Sequence, residues 1–218
     1  MEEFRKSLKE KYGDEEVLVV KYTDLPELNE GLNSDDSILG NNILDKTYFI
    51  PRWKSDENPE EVEIIPYPII RTTTTNKVFC SKRIAGSNEK RLVDKLSLGI
   101  GGHVQPENNL KGNNLIFASM KRELMEELCF DPKIMLNTVL QFKGLIRCYK
   151  TSVDRDHIGI LYHIIVPDDY EDKFAIREVD ILEGEFVLIE DLCKEENFNK
   201  LENWSKIALP TLALVKGE

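Results

Sequence analysis

Apolar runs of strand length recur along this chain, and among them one stretch, at about 115–129, carries a helical period with acids on one side. The runs are VLVVKY (17–22), TYFIPRW (47–53), IIPYPIIRTTTT (64–75), KVFCSKRI (77–84), NTVLQFKGLIRCYK (137–150), HIGILYHIIVP (157–167) and EFVLIEDL (185–192). Short apolar segments rich in β-branched and aromatic residues predict strands. IIPYPIIRTTTT and KVFCSKRI read as a hairpin across Asn76, and Pro51 is expected to end the strand in TYFIPRW. Residues 1–16 and 201–215 predict helices. Residues 23–46 read as loop, with NSDD and GNN as turn markers, and GSNEKRLVDK as another loop. Strands and helices mix without regular βαβ alternation. That order predicts an α/β (α+β) chain, a mixed sheet with flanking helices. The polar connector KSDENPEEVE (54–63) suggests a division into an N-terminal extension, 1–62, packed on a main domain, 63–218.

The helical stretch is predicted at 115–129, where Asp131-Pro132 is expected to stop it. At ~100° per residue, Ile116, Phe117, Met120, Leu124 and Leu128 share one face and form the expected core side. Glu123, Glu126 and Glu127 share the adjacent face, with Arg122 just beyond Glu126. Like charges three or four apart cost roughly a few tenths of a kcal/mol per pair on an exposed helix. A hard divalent cation held by oxygen ligands relieves that repulsion, and Mg²⁺ or Mn²⁺ suits a carboxylate set better than zinc. A solvated acidic face, with Arg122 pairing Glu126, explains the same residues without a ligand. The helix alone does not decide between the two.

The decision comes from LSLGIGGHV (96–104) directly before it. Together the two segments resemble the signature of the Nudix hydrolases: a glycine, five residues, a glutamate, seven residues, then R-E-U-x-E-E-x-G-U, with U aliphatic. Gly101-Gly102 supply the glycine start, and Arg122-Glu123-Leu124-Met125-Glu126-Glu127 match R-E-U-x-E-E in full. Counted from Gly102, the loop acid should fall at Asn108, and Glu107 is one residue early. The loop to Arg122 carries an insertion, roughly NNLKGNN, within 107–114, and Cys129 stands where the signature has glycine. IPYPII and the tail ENWSKIALP are similar to a Nudix subgroup of phosphoesterases, so the resemblance covers about residues 62–218.

The resemblance implies a Nudix-type mixed sheet sandwiched between helices. It also implies a metal-dependent pyrophosphohydrolase or phosphoesterase, cleaving a nucleoside diphosphate linked to another group. Glu123, Glu126 and Glu127 would hold Mg²⁺ or Mn²⁺ with the carbonyl of Gly102, and one of them, or a later glutamate, would act as general base. Arg122 would hold the loop acid. Gly101, Gly102 and His103 would approach the substrate phosphates, joined by Arg71 and Arg83, for which solvated strand ends are the plainer explanation. Glu178, Glu183 and Glu185 are the later acids. Two other readings compete: a Nudix-fold nucleotide-binding or sensor module with weak catalysis, and an isoprenoid diphosphate isomerase on a related fold. The isomerase needs a catalytic cysteine and a histidine cluster that the sequence does not display. His157 and His163 fall on one face of a strand, as a metal pair or as satisfied histidines.

Composition narrows the partners. With 218 residues and a net charge of −11, the chain's long-range field disfavours nucleic acid and leaves a small phosphorylated substrate. No apolar run nears the roughly 20 residues of a membrane span, and no signal-peptide segment opens the chain. A cytoplasmic protein is therefore expected, with Cys80, Cys129, Cys148 and Cys193 reduced and three of them in apolar surroundings. A homodimer is the assembly the resemblance suggests.

Overall fold

In the computed structural model of the chain, the structure describes residues 2–34, 43–56, 58–84, 94–177, 179–180 and 182–213, the side chains of 2–4 excepted. The apolar runs become strands, and short strands form outside them, β2 within the stretch read as loop: β1 (Glu16–Lys21), β2 (Gly31–Asn33), β3 (Tyr48–Pro51), β4 (Glu61–Thr72), β5 (Lys77–Arg83) and β6 (Leu96–Ser97). They continue with β7 (Leu128–Cys129), β8 (Val139–Arg147), β9 (His157–Val166), β10 (Ala175–Ile176) and β11 (Leu182–Leu188). The main helices are α1 (Glu2–Tyr12), α2 (Gly112–Glu127) and α3 (Asn203–Ala208). The result is a mixed α/β fold with one large sheet flanked by helices, its strands ordered β11-β5-β4-β9-β8-β2, and a separate β10-β7 pair. β4 is buried from Val62 to Thr72, which its near-continuous apolar sequence requires of a strand covered on both faces. No described helix is long and apolar enough to cross a membrane.

Two compact units share the chain. One comprises Met1–Pro66, Gly101–Lys121 and Gly144–Ile160; the other comprises Tyr67–Ile100, Arg122–Lys143 and Leu161–Glu218. In the first, β1 pairs antiparallel with β3 and with the start of β4, where Val19 faces Glu63. β2 pairs antiparallel with β8, Leu32 facing Ile146. Val17 to Val20, Val62, Ile64, Leu145, Ile146, Ile158 and Ile160 form its core. Val104 accepts a backbone bond from Leu18 N (2.9 Å), which ties the segment after Gly101-Gly102 to β1.

In the second unit β5 lies between β4 and β11, antiparallel to both, with Arg71 opposite Val78 and Phe79 opposite Phe186. Asn76 makes the expected hairpin turn with φ of 56°, a conformation asparagine tolerates better than most residues. ENWSKIALP forms α3 and a following 3-10 turn, shorter than the predicted helix; residues 214–218 lie outside the described residues. α3 anchors the approach to the glycine pair. Ser205 Oγ accepts from Leu98 N (3.0 Å) and bonds the Tyr67 hydroxyl (2.9 Å), while Trp204 meets the Tyr67 ring edge-on. The Tyr67 ring lies so close to Gly99 that a β-carbon there would sit 2.3 Å from Cζ.

The helix differs from its expectation at both ends. α2 starts at Gly112, so the inserted segment is partly helical. Before it, Asn108 and Asn109 have φ of 44° and 61°, and Leu110 N donates to Glu107 O (2.7 Å). Those signs match a type I′ turn, which favours asparagine at both central positions. α2 ends at Glu127, four residues before Asp131, because Leu128 and Cys129 leave the helix to pair with Ile176 and Ala175. Asp131 caps the next turn instead, accepting from Lys133 N. Leu115, Ile116, Met120, Leu124 and Leu128 are buried as the core face, but Phe117 is exposed. The turn markers at 35–36 and 40–42, and the loop residues 85–93, lie outside the described residues.

Candidate functional site

The acidic end of α2 is built by its own C-terminus. Arg177 Nε and Nη2 donate to the carbonyls of Met125 and Leu128 (both 3.2 Å), and Arg177 N donates to Glu127 O (2.8 Å). A helix leaves its last carbonyls unpaired, and a cation there also opposes the negative end of its dipole. Arg177 thus supplies what a glycine cap does elsewhere, and Cys129 in the signature's glycine position is free to pair as a strand. Glu123 is largely buried at 13% side-chain exposure, whereas Glu126 stands out at 57%. Arg122 bridges the two, with Nη2 2.7 Å from Glu123 Oε1 and Nη1 2.9 Å from Glu126 Oε2. Oxygen-only donors on adjacent turns fit Mg²⁺ or Mn²⁺ in kind.

A second cluster was not visible in the sequence. Glu63 on β4, His103 after the glycine pair and His157 at the start of β9 place one ligand atom each within 4.8 Å of one another. Glu63 Oε2 lies 3.0 Å from His103 Nε2 and 3.4 Å from His157 Nε2. The carboxylate is 1% exposed, and neither of its oxygens has a hydrogen bond of good geometry. Burial by itself raises the Glu63 carboxyl; the two imidazoles outweigh it and hold the group far below the usual carboxylate range. Burial likewise disfavours a charged His157, but Glu63 beside it wins and the pKa is raised.

The chain prepares His157 locally. Thr151 and Asp154 form a reciprocal capping box on the helical turn Ser152–Arg155. That turn aims the carbonyl of Val153 at His157 Nδ1, 2.6 Å away. A carbonyl only accepts, so Nδ1 carries a proton, and Nε2 is the ring nitrogen that faces Glu63. Arg147, 2% exposed, fixes the backbone by donating from Nη1 to the carbonyls of Arg155 (2.7 Å) and His157 (2.9 Å). Glu63 is held by its own N–H, which donates to Asp156 O (2.7 Å).

The remaining candidates fall elsewhere. His163 does not join His157; it is buried and bonds the Thr211 hydroxyl (2.9 Å). Arg71 is buried and donates to Leu212 O, and Arg83 is half-buried on β5. Glu183 and Glu185 line an open groove of about 460 Å³ with Lys82, Cys80 and Asp191; Glu178 lies outside the described residues. Two cysteines rather than three are buried, Cys80 and Cys148, and all four are free thiols. Burial pushes the Cys80 thiol up to about 12, which leaves no thiolate for nucleophilic work.

The insertion also reads differently from Gly101. Counted from that glycine, Glu107 is six residues on and in register with the signature's loop acid. The spacing from Glu107 to Arg122 and Cys129 in the glycine position are then the departures from the pattern.

No family model matches the chain. It is 31% identical over 162 residues to Protein YmaB of Bacillus subtilis (strain 168), across 74% of this chain and 76% of YmaB. The crystal structure of Tm1382, a protein assigned as a Nudix hydrolase, matches with a TM-score of 0.70 and 27% identity, covering 91% of this chain and 98% of that one. DR0079 from Deinococcus radiodurans matches in fold, with a TM-score of 0.53, 14% identity and coverage of 91% and 99%. The chain belongs to the Nudix hydrolase superfamily. The match to YmaB extends over about three quarters of both chains rather than over one motif.

Proposed function

We propose that this chain is a divalent-metal-dependent pyrophosphohydrolase acting on a small substrate, a nucleoside diphosphate linked to another group. The observation that carries the reading is the complete R-E-L-M-E-E run on the last turns of α2, in a chain of this superfamily. Glu123, Glu126 and Glu127 are the proposed metal ligands. Mg²⁺ or Mn²⁺ bound there would neutralise charge developing on the phosphates and position the attacking water. Arg122 positions Glu123 and Glu126 by bridging them. Gly101, Gly102 and His103 remain the proposed phosphate-facing segment. Of the two arginines, half-buried Arg83 is the better proposal for a phosphate contact, because Arg71 is committed to Leu212 O. One of the α2 glutamates, or a later one, is the proposed general base.

A second reading, a nucleotide sensor of weak activity, draws on the same Arg122 bridge, which engages Glu123 and Glu126. The test is turnover of a panel of nucleoside di- and triphosphates, dinucleoside polyphosphates and nucleotide sugars with Mg²⁺ or Mn²⁺. Glu126→Gln and Glu127→Gln are run beside the wild type. Metal-dependent turnover that drops about 100-fold or more in each folded variant is expected. Full activity in both variants would overturn the ligand assignment, and metal-dependent nucleotide binding without turnover would move the reading to the sensor.

A further inference from the structure

We infer that Glu63, His103 and His157 form a second metal site, for a divalent transition metal of the zinc class, distinct in ligands and chemistry from the carboxylates of α2. Glu63 is 1% exposed, and its carboxylate has no hydrogen bond of good geometry to offset its loss of water. Its Oε2 lies 3.0 Å from His103 Nε2 and 3.4 Å from His157 Nε2, and because Val153 O engages His157 Nδ1, Nε2 is the ring atom on the Glu63 side. A metal ion among these three atoms binds one carboxylate oxygen and two ring nitrogens at once.

The dimensions suit it. Tetrahedral bonds of roughly 2.0–2.1 Å to nitrogen and oxygen set donor atoms about 3.3 Å apart. The two measured edges from Oε2 are 3.0 and 3.4 Å. The donors are two imidazoles and one carboxylate, the His₂Glu set that binds zinc with positions left open for water or substrate. Imidazole nitrogen selects against Mg²⁺, which prefers oxygen and octahedral geometry. The surroundings are those of a metal site as well. Val153 O fixes the His157 tautomer in the manner of an outer-shell partner. Arg147 and Asp156 O fix the backbones of His157 and Glu63. His103 and His157 keep side-chain exposures of 22% and 15%, which leaves a path for an ion to reach a carboxylate that is itself closed off.

The test is zinc binding by the full chain after metal stripping. Zn²⁺ is titrated at neutral pH in competition with a chromophoric chelator, and Co²⁺ is substituted to read its visible absorption bands. Glu63→Gln, His157→Gln and His103→Ala are compared with the wild type, each checked for native circular dichroism, and Glu127→Gln serves as control. Expected are one tight Zn²⁺ per chain, undisplaced by millimolar Mg²⁺ and retained in Glu127→Gln. Each folded cluster variant should bind about 100-fold or more weakly, beyond the 10–100-fold that losing an outer-shell partner costs, and lose the Co²⁺ bands. No tight Zn²⁺ in the wild type, or affinity unchanged in the folded cluster variants, would overturn the site and leave an imidazolium–carboxylate pair. Loss in Glu127→Gln would overturn it too, by moving the zinc to α2. Because the readout is binding, a failure of the hydrolase reading on every substrate would leave this result standing, and the converse.

Discussion

His163 should make the stability of this protein fall on mild acidification, and its hydrogen bonds say how much. Thr211 Oγ1 donates to Ala208 O (2.6 Å), so it accepts from His163 Nε2–H, and the buried ring is the neutral Nε2–H tautomer. Burial disfavours a second proton, and the charges of Lys143 and Arg71 add to that, bringing the pKa down from 6.5 to about 3. The unfolded chain therefore binds more protons at this position than the folded one between those two values. Stability must rise with pH across that window and be lost as pH falls from 6.5 toward 3. For one such proton, going from pH 6.5 to pH 5.0 costs about 1.6 kcal/mol, since a single uncompensated proton sets a slope of up to about 1.4 kcal/mol per pH unit. Other groups titrate in the same range, among them Glu63 and His157, so the comparison is with His163→Gln, which keeps a donor for Thr211 and does not ionise. Urea unfolding at pH 6.5 and 5.0 gives the difference through the midpoint and slope. The wild type should lose about 1.6 kcal/mol more than the variant over that interval. Equal losses in both proteins would refute the neutral, buried tautomer.

Two further substitutions test how the fold carries its sites. Gly99→Ala places a β-carbon 2.3 Å from Tyr67 Cζ, and that ring is held by Ser205 and Trp204, so it cannot swing away. Overpacking of this kind costs about 1–3 kcal/mol, and a calorimetric melt should drop by about 2–4 °C for each kcal/mol; an unchanged melting temperature would show that the ring is free to move. Arg147→Met keeps most of the side chain's volume but removes both donors to the carbonyls of Arg155 and His157 and the stacking over Tyr149 at 4.7 Å. A loss of about 2–4 kcal/mol in urea unfolding is expected, since the guanidinium itself is buried and charged donors count for more than neutral ones; a loss below about 0.5 kcal/mol would mean those carbonyls find other partners.

Local pattern and tertiary position contributed unequally to what the sequence could disclose. The strands and the hairpin at Asn76 were legible because alternation and turn chemistry are properties of neighbouring residues. The R-E-L-M-E-E run was legible for the same reason, as its spacing is that of one helix. A helical wheel ranks residues by angle alone, and so puts Phe117 on the core face. The burial of Leu115 and Ser119 shows that the covered stripe lies slightly to the other side. Asp131-Pro132 is a strong local stop signal, whereas the true helix end depends on Arg177 and β10, distant in sequence. Glu63 was the hardest to see. It stands between Val62 and Ile64 in a stretch that reads as the end of a polar connector, and nothing nearby marks it as buried. Its one sequence signal is that it is the last acid before a strand stretch whose following residues are apolar on both faces. Such a strand has no solvent side for a charge to occupy. A carboxylate placed there must be met by something of opposite sign or by a metal, and the folded chain brings it two imidazoles, one from the glycine-pair segment and one from a turn built to fix its tautomer.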